Sequence, residues 1–183
     1  MIFGDPYRFA VWVEYIPQWS NDSFKNGFFG FFINGNRYPH DARTSTLFVD
    51  IDDVLDEHNA LNSWPENTEI FALPAEAAFK YLSQLAWPEP TEEDDYPEGV
   101  SDYTIPVTIV NESGAYFFAV ANPSSVRIIG GTISQLVENK DNGSNEWQDI
   151  QHPYLEDITL TKSEISELIA GLKAFSAELF PKQ

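Results

Sequence analysis

Residues 27–38, GFFGFFINGNRY, constrain the fold more than any other stretch of the chain. An aromatic run ends at Asn34-Gly35, a dipeptide suited to the positive φ angles of a type I′ turn, and a short return strand follows. An antiparallel hairpin is thereby set close to the N-terminus. Ahead of it, Phe9, Val11, Val13 and Tyr15 alternate with Arg8, Ala10, Trp12 and Glu14, the period-2 pattern of a half-buried strand. Residues 46–50 read as a third strand. Further on, residues 103–110, 115–121 and 125–129 are rich in β-branched and aromatic side chains, with a turn at 111–114 joining the first two.

Helical spacing appears between and after these runs. Residues 52–59 suit a short helix. A longer one opens near Pro74, where Ala75, Ala78, Phe79, Leu82, Leu85 and Ala86 keep one face apolar until Pro88 stops it. The chain closes on a helix from about 162 to 180. Thr161 and Glu164 form a T-x-x-E capping box ahead of Ile165, Leu168, Ile169, Leu172, Phe175 and Leu179. Residues 88–102, PEPTEEDDYPEGVSD, hold three prolines, seven acids and no base, so they read as an exposed loop, as do 139–145. The strand–helix alternation of a parallel sheet is missing. This order predicts one α+β domain over residues 1–183, with a largely antiparallel sheet and two main helices packed on one face.

Charge narrows the partners. The formal net charge is −19, from 29 acids and 10 bases. Such a chain repels nucleic acid, whose affinity for proteins rests on Lys and Arg neutralising phosphates, and it is disfavoured at anionic membranes. No apolar run nears the ~20 residues of a membrane span. The opening MIFGDPYRFAVWVEY has no basic stretch before its apolar residues, unlike a signal peptide, so a cytoplasmic location is expected. The absence of cysteine excludes disulfides, thiolate metal sites and thiol nucleophiles. Residues 44–126 carry sixteen acids and a single base, Lys80. A charge run is commonly just a solvated face. Like charges oppose compaction, however, and a density beyond the needs of solubility suits a face that meets a cationic protein.

One motif suggests chemistry. LFVDIDDVL at 47–55 resembles the first motif of haloacid-dehalogenase-type phosphatases, in which an apolar strand ends in Asp-x-Asp. That resemblance implies Asp50 as nucleophile, Asp52 as general acid and Mg²⁺ on the phosphate. The remaining parts of such a site are not recognisable: Lys80 falls in mid-helix and Asp94-Asp95 in the Pro-rich loop. Asp52 equally suits the N-cap of the helix predicted after it. His40, His58 and His152 lack the spacing of a metal site, and no cofactor is expected. Phe28, Phe29, Phe31 and Phe32 suit core packing better than base stacking, which needs a basic groove beside it.

The opening MIFGDPYRFAVWVEYIPQWS and FKNGFFGFFINGNRYP resemble the immunity protein 42 family of bacterial polymorphic-toxin and contact-dependent inhibition systems. The features that carry the resemblance are Gly4-Asp5-Pro6 with Phe9, then Asn26-Gly27, Phe29 and Ile33-Asn34-Gly35 before Tyr38-Pro39. It implies a small cytoplasmic, non-catalytic antidote that binds the C-terminal domain of its cognate toxin. Together with the charge, it predicts a cationic toxin domain, such as a basic nuclease, as partner. Glu92, Glu93, Asp94, Asp95, Glu98 and Asp102 are expected to supply the electrostatics, and Trp87, Tyr96 and Tyr103 the apolar anchors.

Overall fold

The period-2 alternation of the N-terminal third builds the first of two main antiparallel sheets. In the structure, a computed structural model that describes residues 1–92, 94–139 and 143–181, β1 (Ile2–Gly4), β2 (Phe9–Tyr15), β3 (Asn26–Ile33) and β4 (Asn36–Tyr38) lie side by side in chain order. A two-residue strand, β5 (Ser45–Thr46), joins β3 from its other end. Asn34 and Gly35 take φ values of 51° and 85°, as the predicted turn requires. Phe9, Val11, Val13, Phe29, Phe31 and Ile33 are buried on one face. Trp12, Phe28 and Phe32 point to the other.

The second sheet consists of β6 (Ala115–Ala121), β7 (Ser125–Thr132) and β10 (Glu156–Thr161), in the order β10-β7-β6. Between β7 and β10 the chain forms a two-stranded hairpin of β8 (Ser134–Glu138) and β9 (Asn145–Asp149). Its alternating polar residues gave no apolar signal. Phe117, Ala119, Val126, Ile128, Ile158 and Leu160 face the first sheet and share one buried cluster with it. The Phe117 ring meets Phe31 and Tyr38 edge-on, with centroids 6.1 and 5.0 Å apart.

Helices complete the layers: α1 (Leu47–Leu55), α2 (Ala60–Ser63), α3 (Thr68–Ala72), α4 (Ala75–Ala86), α5 (Thr108–Asn111) and α6 (Lys162–Leu179). The antiparallel α+β class is as expected, and the capping box of Thr161 and Glu164 opens α6. The two long helices divide between the faces of the second sheet. Ile165, Leu168, Ile169 and Leu172 of α6 enter the main cluster. Ala78 and Leu82 of α4 instead pack with Ile70, Phe118, Val120 and Ile129 on the opposite face. The reason lies in β6 and β7, whose residues are mostly apolar on both sides, Arg127 excepted, so each face needs its own cover.

Two strand assignments are corrected. Residues 46–50 run from β5 into α1, and Tyr103 to Val110 contribute only the isolated bridge Thr104↔Phe118 before turning into α5. The predicted helix at 52–59 starts earlier and ends at Leu55. Thr46, not Asp52, occupies the N-cap of α1.

Candidate functional site

The negative end of α4 is where the acidic loop is anchored. Trp87 is the C-cap residue of this helix, whose last turn contains no base to offset the partial negative charge of the helix end. The loop then returns to the same helix end. The Val100 amide donates to the Leu85 carbonyl at 2.8 Å. Gly99 lies so close that a Cβ there would stand 2.1 Å from the Ala86 carbonyl oxygen. Within the loop, the Thr91 amide donates to the Asp94 carbonyl (2.8 Å), the Asp94 amide to Thr91 Oγ1 (3.1 Å) and the Tyr96 amide to Asp94 Oδ1 (3.0 Å). The turn chemistry of Asp and Thr thus fixes a local shape on a segment too polar to bury.

Glu92, Asp94, Asp95, Glu98 and Asp102 are all exposed, and among the described residues none of the five is in an ion pair. Glu93 lies outside the described residues. Tyr96 is 92% exposed and Trp87 47%. Tyr103 differs from them: it is half-buried against the Ile70–Phe118 cluster, so less of its ring is open to a partner. Trp87 stacks edge-on against Tyr116, centroids 5.0 Å apart, and touches Phe118.

Beside this edge runs a cleft of about 270 Å³ lined by Trp87, Thr104, Pro106, Asn111 and Tyr116, among others. Asn111 and Tyr116 also border a second, wider cleft of about 690 Å³, which reaches Arg43, Glu112, Trp147 and Asp149. Arg43 is already engaged: its Nε donates to Asp41 Oδ1 at 2.9 Å and its Nη1 to the Glu112 carbonyl at 3.0 Å. That guanidinium holds the Asp41 carboxyl below the usual carboxylate range. Tyr116, Glu112, Trp147 and Asp149 were not singled out in the sequence. Tyr116 reads there as one more strand aromatic, and only the strand register shows it facing outward next to Trp87.

The Asp-x-Asp motif loses its chemistry in the fold. Both acids sit on α1, two residues apart and on different sides of the helix. Asp50 is 2% exposed. It accepts from Ser45 Oγ at 2.5 Å and from the Ile109 amide at 2.8 Å, tying α1 to β5 and α5. Burial pushes its carboxyl above the ordinary value, Asp53 and Glu112 add to the rise, and the two hydrogen bonds oppose it. Asp52 is exposed. The phosphatase reading required a strand that delivers both carboxylates to one phosphorus atom, and the helix separates them. Among the described residues, no group of three or more His, Asp or Glu side chains is arranged to hold a metal ion.

Among the described residues, the most buried carboxylate is one that no sequence pattern singles out. Glu156 is 0% exposed. Its Oε1 accepts from Asn36 Nδ2 (2.7 Å) and the Tyr38 hydroxyl (2.9 Å), and its Oε2 from Asn34 Nδ2 (2.8 Å). Burial, reinforced by Glu156, pushes the Tyr38 phenol up.

The two-sheet arrangement is shared with a known bacterial protein. The crystal structure of CdiI from Burkholderia dolosa AUO158 superposes with a TM-score of 0.70 at 23% identity, over 96% of this chain and 100% of that one. This likeness defines the fold. The sequence matches the immunity protein 42 family over residues 1–175, and the chain belongs to that family. No curated protein matches. Immunity proteins work by binding a cognate toxin domain, so the surface that matters is one shaped for a protein. Among the described residues, no helix is long and apolar enough to cross a membrane.

Proposed function

We propose that this chain neutralises a cationic toxin domain by stoichiometric, non-catalytic binding in the cytoplasm, through the acidic loop and the aromatic cleft beside it. One observation carries the reading: a run of exposed carboxylates, in no ion pair among the described residues, is pinned to the negative end of α4, beside the half-exposed ring of Trp87. Complementary potential raises the rate of encounter and disfavours wrong partners. Large rings in a cleft supply the desolvated contact area that charge alone does not. Trp87 and Tyr96 act as anchors, Tyr116 extends their platform, and Tyr103 serves mainly to hold the loop against the sheet. A nuclease fits this surface, because a cleft that receives a polyanion is itself positive.

The test pairs binding with protection. Reversing Glu92, Asp94, Asp95 and Glu98 to Lys should abolish protection of cells that express the cognate toxin, while thermal unfolding stays unchanged. Affinity of the wild-type pair should fall at least tenfold between low and high salt. Protection that survives the reversal would place the interface elsewhere, and salt-independent affinity would remove the electrostatic clamp.

A further inference from the structure

The outward face of the first sheet carries an aromatic ladder that belongs to neither buried cluster. Trp12 in β2 lies opposite Gly30 in β3. It stacks on Phe28, centroids 5.5 Å apart and planes within 13°, and leans on Phe32 at 6.2 Å. Trp19 closes one end, edge-on to Phe28 at 5.1 Å. Arg37 covers the other side, its guanidinium 5.8 Å from the Trp12 ring. Trp19 is 44% exposed, and Ile2, paired with Trp12 on β1, is 50% exposed. The α-helices α1, α5 and α6 approach the opposite face of this sheet, in the main cluster that also holds Phe29, Phe31 and Ile33.

Charge identifies what fits here. The molecule as a whole is strongly anionic, yet the charges of this face nearly cancel: one acidic side chain, Glu14, which the Met1 ammonium meets at 3.3 Å, and one basic side chain, Arg37. Glu14 lies next to Phe28 in the register, and Arg37 next to Phe32, so the two charges sit at opposite corners of the ladder. A face with opposite charges at two corners and rings between them is complementary to itself under a two-fold rotation, which can set Glu14 of one copy against Arg37 of the other. Two molecules of so high a like charge can meet only where the local charge cancels. Aromatic and arginine residues are also those enriched at protein interfaces. A cationic toxin would gain nothing electrostatically from this neutral face.

We propose that a second copy of this chain docks on the ladder, giving a two-fold dimer through Trp12, Phe28 and Phe32. The acidic loop lies beyond the second sheet, on the far side of the molecule, so each copy keeps its own toxin-binding surface. Sedimentation equilibrium of the purified chain, from micromolar to sub-millimolar concentration in moderate salt, should show a monomer–dimer equilibrium. Arg37→Glu, which removes the complementary corner without touching either core, should weaken dimerisation at least tenfold. Phe32→Lys should do the same, with circular dichroism confirming that both variants stay folded. Glu14→Arg, which sets a base beside the Met1 ammonium and opposite Arg37 of the other copy, should weaken dimerisation as well. Wild-type protein that remains monomeric throughout would overturn the proposal, as would a dimer indifferent to all three changes. So would ladder variants that lose toxin binding from a monomeric wild type, because the ladder would then face the toxin.

Discussion

Glu156 and Asp50 are both carboxylates buried in seams of the fold, and they are treated very differently. Glu156 receives three donors, two amides and a phenol, all neutral and all from one hairpin. Its charge is dispersed over bonds that also join the first sheet to β10 in the second. Asp50 receives two donors and lies near two further acids, Asp53 and Glu112. Its seam is smaller, holding α1 against β5 and α5. Burial alone therefore does not set the cost of a carboxylate. The number of donors facing it does, together with the sign of what stands behind them.

Four measurements would sharpen or break that contrast. The largest effect is expected from Glu156→Ala, which strands a buried phenol and two amides. It should cost about 3–5 kcal/mol, seen as a melting temperature lower by roughly 10 °C. Glu156→Gln keeps one accepting oxygen but turns an NH₂ toward a donor, at about 1–3 kcal/mol in denaturant titration. A Gln variant as stable as wild type would show that the three donors do not need a full carboxylate.

Asp50→Asn comes next, and it should change stability by less than about 1 kcal/mol, since the amide can still accept from Ile109 and donate to Ser45. Its signature is in the pH dependence. Because the folded carboxyl is raised above the ordinary 3.8, the unfolded chain releases its proton first. The contribution of Asp50 is then full below 3.8 and is lost as pH rises through the folded value. Relative to the Asn variant, wild type should become less stable across that interval and stay level above it. A wild type that gains on the variant there would reverse the sign of the contrast. The smallest effect belongs to exposed acids: Glu92→Gln should change the unfolding free energy by no more than about 0.5 kcal/mol, and a larger loss would mean that the loop is structural.

Asp50 also explains where sequence reading falls short. The buried residues of α1 are Leu47, Asp50, Ile51 and Val54, the i, i+3, i+4, i+7 stripe of a helix. Asp50 counts as polar in any hydropathy pattern, so the stripe is broken at its second position and LFVDI looks like a strand. The β6–β7 pair, α4 and α6 were legible because their inward positions are nearly all apolar, with the buried Arg127 of β7 as an exception. The Asn34-Gly35 turn was legible for a local reason, its backbone angles. The β8–β9 hairpin left no mark because it buries almost nothing. For the candidate site, the acidic loop announces itself by composition. Its pinning through Gly99 and Val100, and its neighbour Tyr116, depend on contacts between distant segments that no local pattern encodes.

The Glu156 seam also orders events in time. Tyr38 and its acceptor are 118 residues apart, so a nascent polypeptide displays the early hairpin long before the carboxylate that completes it has been synthesised. Until β10 leaves the ribosome, the donors of Asn34, Asn36 and Tyr38 have only water for company, and the sheets have no polar rivet between them. Premature termination would therefore yield a product unable to close, and a cell cannot own half of this antidote.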